Sequence, residues 1–307
     1  MRLSPIAAVI ISLSCLNASA QSKTLAERLG YPRDSKLLII HADDLAVSHS
    51  EDAASFDALD KHAATSASIM VPCPWLTEVA AYAKLHPDAD LGLHLTLTAE
   101  WKTDRWGPVE SKDRVPSLLD PDGYLWPEAA PALEHIKADE AEREIRAQVE
   151  HAIAMGIHPT HLDSHMGLIF LRPDLIAVYV KVAHDYKLPF LGTLTPNASP
   201  NLKSLFSEND ILLDSVVIAT PNVQPANWKN FYLDAVKNLK PGLTEFIVHL
   251  AHDDAESQAV MVDHSDYGAA WRQRDYDAIT SPDLKKALEA NHVILIRWSD
   301  LKKLQNP

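Results

Sequence analysis

The sequence predicts an α/β fold arranged as one (β/α) barrel domain, and two observations carry that expectation. Short apolar runs alternate with helical patterns from about Lys36 almost to the end of the chain, which is the signature of repeated βα units. The runs that read as strands cover residues 37–41, 66–71, 91–97, 160–165, 190–192, 211–218, 246–249 and 293–296, a set of eight that suits a barrel. A chain of 307 residues can bury a core of that size, and no linker, repeat or low-complexity tract divides it.

Taken in order, residues 1–20 read as a signal peptide: Arg2 precedes the apolar run Ile6 to Leu16, and Ala18-Ser19-Ala20 supplies small residues for cleavage. The run is shorter than the roughly twenty apolar residues a membrane span needs. A periplasmic or secreted protein with no stable membrane insertion after cleavage is therefore expected. Residues 21–35 form a polar leader, and the folded domain is expected over 36–304. Cleavage would leave Cys73 as the lone cysteine, which rules out an intramolecular disulfide and favours a neutral packing role.

The first strand, from Leu37, runs directly into Asp43 and Asp44. Neighbouring residues of a regular strand point to opposite faces, so the strand is expected to end there for both acids to reach the carboxyl rim. One could then coordinate a metal while the other lies near the metal's water; a helix cap and a solvated acid would explain the pair equally well. In the strand from Leu91, Gly92, His94, Thr96 and Thr98 share one face opposite four leucines. The parity of the strand near 160–165 groups His161, Asp163 and His165.

An unpaired imidazole in an apolar strand carries a desolvation cost, so His94 and His165 are expected to serve a metal. The chain has fifteen histidines; His49, His62, His86, His135, His151, His158, His184, His264 and His292 sit in no motif and are read as structural. Carboxylates and imidazoles from separate strands point to a divalent-metal hydrolase.

Between these strands, residues 99–132 form a loop insertion rich in proline, with Trp101, Trp106, Tyr124 and Trp126. Its rings could stack on sugar faces or simply pin the loop. A helix is expected from about Asp139 to Met155, with Asp139 and Glu142 as a cap pair, Ile145, Val149, Ala152 and Ile153 as its apolar stripe and Gly156 as its stop. The net charge of −14 excludes a nucleic-acid partner, since no basic cluster offsets it.

The segments Leu38 to Leu45, Leu91 to Thr98 and Pro159 to His165, in that order, resemble the YdjC-like carbohydrate deacetylases, a group that includes chitooligosaccharide deacetylase. The resemblance extends to about Leu304 through Arg274 to Pro282 and Ile294 to Leu301, which are similar to the family's closing helix, strand and helix. It implies a (β/α) barrel related to polysaccharide deacetylases, removal of acetyl groups from N-acetylated sugars or oligosaccharides, and a divalent ion, Mg2+ or Zn2+. By that resemblance Asp44, His94 and His165 are the metal ligands, Asp43 the general base, and His249, four residues after Glu245, the general acid, with His252 as its competitor.

The chain departs from the family at Leu45-Ala46, where Phe-Gly is common, at Met166-Gly167, where further histidines often follow, and at Leu250, where proline is usual. These departures keep two other readings in view: a catalytically silent periplasmic protein that binds carbohydrate or metal, and a metal-dependent hydrolase of another ester or amide bond. An acetylated carbohydrate is the expected partner in the enzyme reading, and formation of a homodimer stays open.

Overall fold

The structure, a computed structural model, describes residues 23–193 and 199–305, so the expected signal peptide and the first leader residues lie outside the described residues. The described part of the leader contains helix α1 (Leu25–Arg28), closed by a capping box between Thr24 and Glu27. Its Ala26 packs with Leu37, Ile39, Leu243 and Trp298, so this segment seals one end of the core.

Strand β1 (Lys36–Leu45) leads to α2 (His49–Asp60), β2 (Ser66–Ile69), α3 (Leu76–Leu85) and β3 (Leu91–Leu95). After the long loop come α4 (Ala129–His135), α5 (Ala138–Ala154), β4 (Leu162–Ser164), α6 (Pro173–Tyr186), α7 (Pro200–Lys203), β5 (Ser215–Ile218), α8 (Trp228–Asn238) and β6 (Gly242–His249). The chain continues through α9 (Ala255–Val260), α10 (Ala269–Ile279), α11 (Pro282–Ala290), β7 (Val293–Leu295) and α12 (Trp298–Gln305). The alternation expected from the sequence is thus present in a single domain. Among the described residues no helix is long and apolar enough to cross a membrane.

All strand pairings are parallel, in the order β4-β3-β2-β1-β6-β5, with β7 against the start of β1. The α/β barrel-type fold is borne out as a (β/α) half-barrel with, among the described residues, seven strands instead of eight. Residues 190–192 form no strand: Pro189 has no N–H to donate and Gly192 no side chain to pack, and only the single bridges Leu162↔Phe190 and Thr193↔Leu213 carry the wall round. The run over 211–218 becomes a strand only from Ser215, where pairing with β6 begins. β3 stops at Leu95 because Gln148 of α5 takes both the N–H and the carbonyl of Thr96.

β1 does not end at its paired acids. Between Ala42 and Leu45 the register against β2 slips by a bulge, with Asp44 at φ 70°. The extra residue lets both carboxylates reach the same rim. Ala46 also adopts a positive φ, 81°, so alanine occupies the left-handed conformation that glycine adopts without penalty.

Helix α5 corrects two details. Asp139 pairs with Arg143 and Glu142 with Lys181 and Arg146, so neither caps the helix, whose N-cap position is Lys137. Ile153 lies off the buried stripe and is exposed, since eight residues from Ile145 rotate it about 80° away. Glu144 and Gln148 occupy the buried face instead. Glu144 accepts from the N–H groups of Val109 and Glu110, and Glu140 from that of Ser117, so α5 clamps the 99–132 loop. Gly156 follows the helix at φ 84°, as its expected stop. Cys73 is buried, and burial pushes its thiol up, consistent with packing.

Candidate active site

The parallel register decides which side chains meet. Asp43 of β1 lies opposite His249 of β6, and His94 of β3 opposite Asp163 of β4. His165 follows β4 directly and begins a tight turn in which Met166 and Gly167 both take positive φ. Beneath it, Gly92 makes room for the His161 ring: a Cβ there would lie 2.4 Å from the imidazole.

The three residues expected to bind a metal come together. Asp44 Oδ1 lies 3.2 Å from His94 Nε2 and 3.3 Å from His165 Nδ1, all buried. Among the described residues Asp44 Oδ1 has no aligned hydrogen-bond donor. Each histidine is anchored through its other nitrogen, His94 Nδ1 to Asp163 at 2.7 Å and His165 Nε2 to Glu100 at 2.8 Å. Such carboxylate-anchored imidazoles keep the second nitrogen free for a cation. One unpartnered carboxylate oxygen facing two oriented imidazoles fits a divalent ion.

The remaining oxygen of Asp44 accepts from Arg272 Nη2 at 2.7 Å, and Arg272 Nη1 lies 2.8 Å from Glu51. Burial is the largest single influence on Asp44 and opposes its charge, but Arg272, His165 and His94 together outweigh it and hold the carboxyl well below the usual range. Burial dominates at Glu51 and pushes it up to about 8. His165 resists burial through Glu100 and Asp44, which raise it to about 9. A cation would displace protons from this corner.

Asp43 stands among three histidines. Its Oδ1 lies 3.2 Å from His41 Nε2, and its Oδ2 lies 3.8 Å from both His94 Nε2 and His249 Nε2. His41 also contacts Asp163 at 3.0 Å and Ser68 at 3.0 Å; burial works against its proton, yet these carboxylates raise it well above the ordinary histidine value. His249 differs: among the described residues its Nδ1 has no hydrogen-bond partner, Tyr267 meets its ring edge-on, and burial pushes it down to about 4.

Glu245 is not at the rim. It lies lower on β6, where Trp298 donates to it at 2.8 Å and burial raises it to about 7. His252 packs edge-on against Tyr276, whereas His249 lines the cavity above the cluster. His264, read from sequence as structural, also lines that cavity, with Trp101 against its ring. Of the loop aromatics, Trp101 reaches the cavity; Trp106 and Trp126 donate to the Thr98 and Ser117 carbonyls and hold the loop.

Sequence reasoning passed over Arg272, Glu51, Glu100 and His41. Arg272 stands 228 positions from Asp44, with no local pattern to announce it. His41 was visible in the first motif, two residues before Asp43 on the same strand face, and that parity was the usable signal.

Fold and site together define a (β/α) half-barrel protein with a buried carboxylate–imidazole cluster at its carboxyl rim. Residues 37–290 match the model of the family described as YdjC-like protein, and the chain belongs to that family. It is 34% identical to a carbohydrate deacetylase of Thermus thermophilus, across 89% of this chain and 97% of that one. It is also 24% identical to a chitooligosaccharide deacetylase of Serratia marcescens, across 87% and 99%. A crystal structure from Enterococcus faecalis, provisionally titled a cellobiose-phosphate cleavage protein, has the same fold, with a TM-score of 0.72 at 24% identity over 87% of this chain and 99% of that one.

Proposed function

We propose that this protein is a divalent-metal-dependent hydrolase that removes acetyl groups from N-acetylated sugars. The observation that carries the reading is the convergence of Asp44 Oδ1, His94 Nε2 and His165 Nδ1 beside a large cavity; the names of the relatives, carbohydrate and chitooligosaccharide deacetylase, support the substrate class. Asp44, His94 and His165 hold the ion, Mg2+ or Zn2+. When bound, it supplies a Lewis acid for the acetamide carbonyl and lowers the pKa of water.

The protein's own groups manage the protons. Asp43 accepts one from the attacking water as general base. Its Oδ2 faces His249 Nε2 at 3.8 Å, so the proton can pass to His249 and on to the departing sugar amine. Because burial keeps His249 neutral at rest, it receives its proton during the reaction and then acts as general acid. Arg272 keeps Asp44 ionised throughout, and acetate and an amino sugar are the products.

The leader pattern over residues 1–20 supports export to the periplasm or beyond, so the mature chain should begin at Gln21. Acetate release by metal-stripped protein, assayed on a panel of N-acetylated glycans with Mg2+ or Zn2+ restored, tests the function. Release only when an ion is restored is expected; no release with any ion or glycan would remove the reading.

A further inference from the structure

We propose that the natural substrate carries an aliphatic chain next to its acylated amino sugar, and that the apolar arm of the cavity houses this chain. The inference rests on the deacetylase reading above and adds to it a substrate feature.

The cavity measures about 970 Å³, near the upper end for sites that enclose drug-sized ligands. Its two ends differ in chemistry. The β1, β3 and β4 side presents Asp43, Asp44, His94 and His165, whereas the β5 and β6 side presents Val216, Ile218 and Ile247, with Leu191 and Phe206 beyond them.

Register explains the division. His41 of β1 pairs with Ile247 of β6, and Ile247 pairs with Ile218 of β5. At one depth of the barrel, then, the lumen changes from a charged network to aliphatic side chains. Ile247 lies two residues before His249 on the same strand face, so the apolar arm opens on the reacting centre itself.

Val216, Ile218, Ile247 and Phe206 are only partly buried, although they lie within a folded interior. Met166 and Phe170 line the same cavity while 46% and 36% exposed, which extends the apolar wall to solvent.

A second sugar ring would bring hydroxyls against these side chains and leave them without partners. An aliphatic chain brings none, and each methylene buried there strengthens binding roughly fourfold. Two attachments share this chemistry: an alkyl aglycone on the sugar, or an acyl chain longer than acetyl on its nitrogen.

The test uses the full mature chain with its metal restored. Calorimetry compares methyl and octyl β-glucoside, which have no amide to cleave, below micelle-forming concentrations. Carboxylate release is followed in two pairs: methyl against octyl β-glycosides of N-acetylglucosamine, and N-acetyl- against N-octanoylglucosamine. Octyl glucoside should bind at least tenfold more tightly than methyl, and one chain-bearing substrate should exceed its short counterpart at least tenfold in kcat/KM, identifying the attachment. Ile218→Asn should bring these ratios toward one, and so should Phe206→Ser, which changes a more accessible position should the first variant fold poorly.

Equal binding of the two glucosides, or a ratio of one in both kinetic pairs while acetate is released, overturns the inference and leaves the deacetylase reading standing. Tenfold tighter octyl binding with no carboxylate released from any substrate overturns the deacetylase reading instead, and leaves the apolar arm as a site for aliphatic chains.

Discussion

On the β3 and β4 side of the cavity, each rim imidazole is tied to a carboxylate: His94 to Asp163 and His165 to Glu100. On β6, His249 has no partner at Nδ1 and rests against the Tyr267 ring. Both corners are buried, yet His165 is raised to about 9 and His249 lowered to about 4. Burial opposes the imidazolium in each case; neighbouring acids overcome it only at His165. One imidazole type is thus prepared for two tasks by what stands at its far nitrogen. A tethered ring is fixed in direction and suits a cation, while an untethered, neutral ring can take up and release a proton.

Asp43 links the two corners, so its replacement should have the largest effect. Asp43→Asn is expected to lower kcat by roughly 10²- to 10⁴-fold while a titration shows the metal still bound. Near-normal turnover in that variant would mean that Asp43 is not the base.

His249→Gln probes the neutral corner through stability. The folded pKa of about 4 lies below the ordinary 6.5, so between those values the unfolded chain binds more protons at this position. Native stability should fall as pH drops through that window, by up to about 3 kcal/mol from this group. Denaturant titrations of metal-free protein at pH 7 and pH 4 should show a smaller loss in the variant; an identical loss in both proteins would contradict a neutral His249.

Arg272→Lys sharpens the tethered corner. Lysine keeps the charge but cannot serve Asp44 and Glu51 with one planar fork, so metal affinity should weaken by about 10- to 100-fold, measured by competition with a chelator. The smallest effect is expected at the turn beside the acids. Ala46→Gly places glycine at φ 81° and should stabilise the protein by up to about 1 kcal/mol; a lower melting temperature would show that the alanine is not strained.

Strand identity and face parity were legible in the sequence because a strand's period of two does not depend on the rest of the fold. Leucines alternating with Gly92, His94 and Thr96 announced a two-faced strand, and of His161, Asp163 and His165, read as sharing one face, His161 and Asp163 come together beside His41 while His165 lies just past the end of β4. Adjacent Asp43 and Asp44 misled, since a bulge, set by pairing with β2, achieved what a strand end was expected to do. The stripe of α5 was misjudged at Ile153, which the helical period turns about 80° from Ile145, and burial of Glu144 and Gln148 was missed because they find partners in the distant loop and at Thr96 just past β3, which periodicity cannot reveal.

By itself, the sequence determined the α/β class, most of the strands along the chain and the residue types that reach the rim, because these follow from local pattern. Only the tertiary structure decided that Arg272 would orient Asp44 across 228 positions, that His249 would be left without a tether, and that β5 and β6 would present an aliphatic wall to the same cavity. Those outcomes depend on register and burial, which arise only when distant segments pack against one another.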